Sequence, residues 1–248
     1  MVAASARPSE YLRACHPPRE PLARSACPRC GLTPNPRRTP CYVEPASSWA
    51  KRPATLPKLP TACGGGFTAE GFDEIILPSL WEQRTFNEKA AGSPVLAQMW
   101  TFQDKGGRNV CLIPEATGVI QELYRDQWES SLPKPIRLFY ITRCYRYERP
   151  QAGRYREFTQ VGVEILGPET PKDEAVAVLR KCLDEFGLGY RFVPAVKRGL
   201  TYYTEDGFEV ECDQLGAQKQ IAGGGRYPEG IGWAIGLDRL LLALRSTA

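Results

Sequence analysis

The runs Arg137-Leu-Phe-Tyr-Ile-Thr-Arg-Cys-Tyr-Arg-Tyr-Glu148 and Glu157-Phe-Thr-Gln-Val-Gly-Val-Glu-Ile-Leu166, joined through Pro150-Gln-Ala-Gly153, decide how this chain is read. Two long β-rich runs linked by a proline- and glycine-bearing loop predict a pair of antiparallel strands. Their polar residues fall at period two. Arg146 and Glu148 share one face, and Gln160, Gly162 and Glu164 share one face of the next strand. A solvated face of a half-exposed sheet is the plain alternative. Apolar neighbours on both faces, among them Phe158, Val161, Val163 and Ile165, weigh against it. A sheet face that carries carboxylates, an amide, an arginine and a bare glycine suits a small zwitterion. Carboxylates take its ammonium, the arginine takes a phosphate or carboxylate, and the glycine leaves room.

Working outward, Gly71 to Pro78 reads as a short strand ended by proline. Met99 to Asp104, a Gly106-Gly107 turn and Asn109 to Pro114 read as a β-hairpin, with Glu115 and Thr117 again two apart on one face. One helix follows the central pair, with Thr170 as N-cap, Pro171 at N1, Asp173 in the first turn and Gly187 beyond the end. Its Val176, Leu179, Leu183 and Phe186 recur at helical spacing and should pack on the sheet. Arg198-Gly-Leu-Thr-Tyr-Tyr203 places an arginine and two phenols near a turn. Ala222-Gly-Gly-Gly-Arg-Tyr227 is a glycine run that lets a ligand approach the backbone. Gly232-Trp-Ala-Ile-Gly-Leu-Asp-Arg239 runs from strand to helix, and Leu240 to Leu244 continue it as a buried helix. Strands outnumber helices, so the fold class is α+β: an antiparallel sheet with helices on one side.

The composition hides two unlike segments. Residues 1–62 hold 12 of the 22 prolines and 10 basic against 3 acidic residues, whereas residues 63–248 have 22 basic and 25 acidic ones. The first reads as a basic, poorly ordered arm and the second as a mildly acidic globular core. Cys27-Pro-Arg-Cys30 has the shape of a zinc knuckle, which Cys41 with Cys15 or His16 could complete; a disordered arm is the other reading. His16 is the sole histidine, which excludes a Ser-His pair or a multi-histidine metal centre within this chain. No apolar run reaches the roughly 18 residues of a membrane span, and Met1 to His16 lack a secretory apolar stretch, so a cytoplasmic protein is expected.

The run from Arg146 to Gln160, continued by Val-Gly-Val-Glu164, resembles motif 2 of histidyl-tRNA synthetases. Pro114-Glu-Ala-Thr117, Arg198-Gly-Leu-Thr-Tyr-Tyr203 and Gly224-Gly-Arg-Tyr227 resemble further segments of that family in the same order. Gly236-Leu-Asp-Arg239 resembles the class II motif 3 arginine, and the likeness runs over roughly residues 67–246. It implies a class II aminoacyl-tRNA synthetase fold, with six to seven antiparallel strands flanked by helices, in a family of homodimers. It further implies that Glu115, Thr117 and Gln160 hold the amino and carboxylate end of histidine, while Glu164 and Tyr203, beside Tyr202, address the imidazole. Arg146 would bind the ATP α-phosphate and Arg239 the far phosphates, with Glu148 in the nucleotide site. Arg198 would stand at the carboxylate–phosphate junction, and Mg²⁺ would come with the phosphates.

Three positions depart from the family pattern: Ile113 in place of arginine, Thr201 in place of aspartate, and Pro228 in place of aspartate. Only 33 residues separate Glu164 from Arg198, and the sequence stops just after motif 3. The resemblance therefore implies a core without insertion and anticodon-binding domains, with tRNA contacts that are non-specific. Two functions follow from it. One is ATP-dependent activation of histidine to histidyl-adenylate, with transfer to tRNA. The other is a non-catalytic paralogue, like the regulatory subunit of ATP phosphoribosyltransferase in histidine biosynthesis. The retained substrate residues favour the first.

Overall fold

The structure, a computed structural model, describes residues 66–89, 93–148, 153–168, 170–197, 199–205, 207–216 and 218–246. The basic arm, with Cys27 and Cys30, and the single position Arg198 lie outside the described residues.

In chain order the elements are β1 (Asp73–Glu74), β2 (Leu80–Glu82), α1 (Arg84–Lys89), α2 (Pro94–Ala97), β3 (Thr101–Gln103), β4 (Asn109–Leu112) and α3 (Thr117–Leu123), which widens into a π-helical turn over Tyr124–Trp128. Then come β5 (Ile136–Tyr145), β6 (Glu157–Leu166), α4 (Lys172–Asp184), β7 (Arg191–Val196), β8 (Gly207–Glu211), β9 (Gln220–Tyr227), β10 (Gly230–Gly236) and α5 (Leu237–Ser246). Seven strands form one sheet in the order β1-β5-β6-β10-β9-β8-β7, and β2-β4-β3 form a second, smaller one. Only the β1–β5 pair in the large sheet is parallel. The expected α+β class and antiparallel sheet are what forms. The β5–β6 ladder runs unbroken from Ile136↔Leu166 to Tyr145↔Glu157.

Strand alternation sends side chains to two cores. Val161, Val163 and Ile165 pack with Leu179 and Leu183 of α4, which buries one face of the sheet. Leu138, Tyr140 and Tyr227 point the other way and pack with Val119, Ile120 and Leu123 of α3. The helix α4 thus docks through the residues its spacing predicts. Its start is different, however. Thr170 donates its hydroxyl to Gly167 O at 3.0 Å, and Pro171 is the N-cap residue, with extended backbone and no side-chain cap. The helix α5 is buried on one face only, through Leu237, Leu240 and Ala243, which corrects the fully buried helix expected from its leucine run. Glu115 and Thr117 do not lie on a strand either. Strand β4 ends at Leu112, and the Glu115 carboxylate instead accepts the Gly118 N–H at 2.8 Å, where α3 begins. Of the Gly71–Pro78 run only Asp73 and Glu74 pair as a strand.

Trp233 fixes the sheet to α4, because its indole N–H donates to Ala175 O at 2.8 Å. Gly224 stands opposite it in the β9–β10 register. A Cβ at Gly224 would approach the Trp233 Cβ to 2.6 Å and its Cα to 2.8 Å, closer than carbon atoms pack. Gly224→Ala is therefore expected to lower unfolding free energy by roughly 2–4 kcal/mol, a strain the backbone cannot relieve by a rotamer change. Urea unfolding checks it, and an unchanged midpoint would contradict this packing.

Candidate active site

The side of the sheet away from α4 leaves an open cleft of about 220 Å³ over β5, β6, β9 and β10. Its two ends differ in charge.

One end carries guanidinium groups. Arg146 follows directly on β5. Its Nε donates to Pro114 O at 2.9 Å, and its head lies over the Phe158 ring, 5.2 Å from the centroid. Arg239 projects from the first turn of α5 and donates to Gly153 O at 2.7 Å and Gln220 O at 2.9 Å. The neighbouring Asp238 accepts the Thr159 N–H at 2.7 Å, which fastens that turn to β6. Arg154 completes the group, with Glu148 at 3.5 Å as its carboxylate partner. Burial pushes the Arg239 pKa down, and the like charges of Arg154 and Arg146 push it the same way, against Glu148 and Glu209. Arginine stays protonated at neutral pH. Three guanidinium groups beside the one carboxylate of Glu148, which pairs with Arg154, make an anion site.

The other end carries carboxyl groups and phenols. Glu115 is buried, with one oxygen on the Gly118 N–H and the other accepting from the Tyr202 hydroxyl at 3.3 Å. Glu164 is fully buried, and its two oxygens accept from Thr117 at 2.6 Å and Tyr227 at 2.5 Å. A Cβ at Gly232 would overlap that carboxyl, so only glycine leaves it room. Between the ends, Gln160 accepts the Cys144 thiol on its carbonyl oxygen at 3.1 Å. Its NH₂ is thereby left as the group that can donate into the cleft, which suits a carboxylate better than an ammonium.

Eight residues singled out in the sequence line this one cleft: Glu115, Thr117, Arg146, Glu148, Gln160, Tyr202, Tyr203 and Arg239. Glu164 sits one layer behind, beneath Thr117 and Tyr227, rather than in the wall. Sequence reasoning missed Tyr140, Arg154, Tyr227 and Asp238. The signal for Tyr140 was present in the sequence: it stands an even number of residues before Arg146 in the run read as one strand, and therefore on the same expected face.

Burial is the largest cause that pushes the Glu164 pKa up from 4.5 to about 8, with Glu115 adding to it and the hydrogen bonds from Thr117 and Tyr227 opposing it. The unfolded chain ionises this group near pH 4.5 while the folded one keeps the proton. Stability from this group is thus complete below about pH 4.5 and declines as pH rises to about 8. Glu164→Gln should remove that decline, leaving the variant more stable than wild type above pH 8 by on the order of 4 kcal/mol. Chemical unfolding at pH 5 and pH 9 reads it directly. Parallel pH profiles for the two proteins would contradict the buried, protonated carboxyl.

Residues 100–227 match the family described as tRNA synthetase class II core domain (G, H, P, S and T). Among curated proteins, the histidine–tRNA ligase of Methanosarcina acetivorans is 27% identical over 69% of this chain and 67% of its own length. That of Thermus thermophilus is 28% identical over 72% and 68%, and that of Pyrococcus furiosus is 40% identical over 45% and 26%. The chain thus spans about two thirds of the length of the first two. Among solved structures, the apo histidyl-tRNA synthetase of S. aureus superposes with a TM-score of 0.62 at 27% identity, covering 76% of this chain and 65% of that one. The ATP phosphoribosyltransferase regulatory subunit/histidyl-tRNA synthetase of Bacillus halodurans C gives 0.63 at 17% identity, over 75% and 78%, a likeness of fold. Motifs, sheet topology and family model agree: this chain belongs to the tRNA synthetase class II core family, and the curated relatives it resembles are histidine–tRNA ligases.

Proposed function

We propose that this chain activates histidine with ATP to form histidyl-adenylate and pyrophosphate. The observation that carries the reading is the polarity of the cleft, with carboxyls and phenols at one end, arginines at the other, and the Gln160 amide between them. An amino acid laid along it puts its ammonium near Glu115 and its carboxylate near Gln160, facing the arginines. ATP fits the other end with its phosphates on Arg146, Arg154 and Arg239. The amino-acid carboxylate oxygen then bonds to the α-phosphorus, and the bond from that phosphorus to the bridging oxygen of pyrophosphate breaks. Negative charge grows on the phosphoryl oxygens in that step. Arg146, already held by Pro114 O and Phe158, needs no reorganisation to meet it.

Among the described residues no three potential ligands form a metal cluster. Mg²⁺ bound with the nucleotide would supply charge neutralisation at the phosphate end, where Glu148 is the carboxylate present to help hold it. A role for Arg198 at the junction of the two substrates, implied by the family resemblance, belongs to the same proposal. Transfer to tRNA, which the relatives' names support, belongs to the same proposal, as do the non-specific phosphate contacts and homodimeric assembly that the family resemblance implies. The retained arginines and carboxyls favour the enzyme over a regulatory paralogue, because a purely regulatory protein has no need of three guanidinium groups at the phosphate end.

ATP–pyrophosphate exchange scanned across the twenty amino acids tests this. Histidine should be the preferred substrate. Arg146→Ala and Arg239→Ala should each reduce exchange by roughly 10²–10³-fold, or about 3–4 kcal/mol of transition-state stabilisation. Exchange at the wild-type rate in both folded variants would refute the assignment.

A further inference from the structure

We propose that Tyr140 is a specificity-determining residue, whose phenol hydroxyl meets a hydrogen-bond acceptor on the side chain of the bound amino acid. Tyr140 lies on β5 directly opposite Gly162 of β6. With no Cβ at Gly162, the Tyr140 ring crosses over the neighbouring strand and reaches the cleft wall; any side chain at residue 162 would collide with the phenol. The residue is fully buried, yet its hydroxyl has no hydrogen-bond partner among the described residues. It lies near Thr117 and Glu164 without meeting either in hydrogen-bond geometry.

The surrounding phenols are already engaged. Tyr202 donates to Glu115, Tyr227 donates to Glu164, and Tyr203 packs and interacts with Tyr202, their ring centroids 4.7 Å apart. Leaving a buried hydroxyl without a partner is destabilising, and that cost is recovered when a ligand supplies the missing acceptor. Burial, and then the nearby Glu164 and Cys144, hold the Tyr140 phenol far above its usual pKa, so the group keeps its proton and remains a donor. The complementary ligand is an amino acid whose side chain carries a neutral acceptor, such as the unprotonated nitrogen of an imidazole. Apolar side chains of the same shape leave the hydroxyl unpaired and are rejected. This deepens the histidine reading and rests on it for the identity of the acceptor.

The test is calorimetric. The twenty amino acids are titrated into the wild-type protein, followed by thienylalanine, which matches histidine in shape without ring nitrogens. The preferred amino acid, thienylalanine and ATP are then titrated into Tyr140→Phe. The expected result is a roughly ten- to hundredfold weaker affinity of the variant for histidine, with thienylalanine and ATP affinities unchanged and a melting temperature equal to or above wild type. Unchanged histidine affinity in the folded variant overturns the proposal. So does an equal loss for histidine and thienylalanine, which marks a merely structural role, and so does wild-type binding of thienylalanine as tight as histidine. If another amino acid is preferred, the histidine reading fails by itself, and Tyr140 is judged on that amino acid: a side chain without an acceptor, or no loss in the variant, overturns its role. If none of the twenty binds, both readings fall.

Discussion

The carboxyl of Glu164, buried in the middle of the large sheet, constrains more of this structure than any other single group. An acid cannot be left in such a place without partners, because removing it from water disfavours its charged form by several kcal/mol. The fold supplies two hydroxyl donors from different elements, Thr117 at the start of α3 and Tyr227 at the end of β9. Those hydrogen bonds fix where α3 meets the sheet, and so where Glu115 stands, because Glu115 accepts from the backbone of the same first turn. Gly232 follows from the same constraint. It lies opposite Glu164 in the β6–β10 register, where any side chain would displace the carboxyl. One buried acid therefore dictates a threonine, a tyrosine and a glycine on three separate segments, and with them the shape of the carboxyl end of the cleft.

The arginine end is built on the opposite logic. Arg154 pairs with Glu148, but Arg146 and Arg239 are tethered by backbone carbonyls rather than by carboxylates. Arg239 reaches Gly153 O and Gln220 O, and Arg146 reaches Pro114 O. A carbonyl orients a guanidinium while removing little of its charge, so the positive potential stays available to a ligand. The tether to Gly153 also ties the segment after β5 to α5. A residue that binds phosphate in this proposal thus also holds one wall of the site in place.

How much of this was legible in the sequence depends on the kind of regularity involved. The β5–β6 pair, the β3–β4 hairpin and the α4 face follow from local periodicity, and the structure has them with ends shifted by up to three residues, β5 stopping at Tyr145 and not at Glu148. Arg146, Glu148 and Gln160 share one cleft as expected, but Arg146 and Glu148 reach it from just past the end of β5 at Tyr145 and not from the strand itself. Glu115 and Thr117 also reach that cleft, but from the start of a helix and not from the strand face that their spacing suggested. The capping of Glu164 by Tyr227 was not legible, because it joins residues 63 positions apart through the strand order β6-β10-β9. The same holds for Thr117, 47 positions away. Periodicity says which face a residue occupies; it does not say which distant strand lies beside it. Thr170 was misread for a local reason. Its hydroxyl had a nearer acceptor in Gly167 O, so it closed the preceding turn instead of capping α4.

Tyr140 lines the carboxyl end of the cleft and Glu164 lies one layer behind it, and the protonation of both bears on what that end can recognise. With its pKa raised to about 8, Glu164 is uncharged at neutral pH in the folded protein. The Tyr140 phenol is uncharged as well. The other carboxyl at this end is Glu115, which accepts from a backbone N–H and a phenol and lies in the cleft wall. An ammonium therefore has one attractive pole, at Glu115, and a cationic side chain placed deeper would meet neutral groups in a desolvated pocket. That arrangement disfavours lysine and arginine through the cost of burying an uncompensated charge, and apolar side chains through the hydroxyl they leave unpaired. A neutral ring with one N–H and one bare nitrogen satisfies both conditions at once, since it carries no charge and can give one hydrogen bond and accept another. Selectivity in such a pocket comes from penalties against the wrong side chains as much as from attraction to the right one.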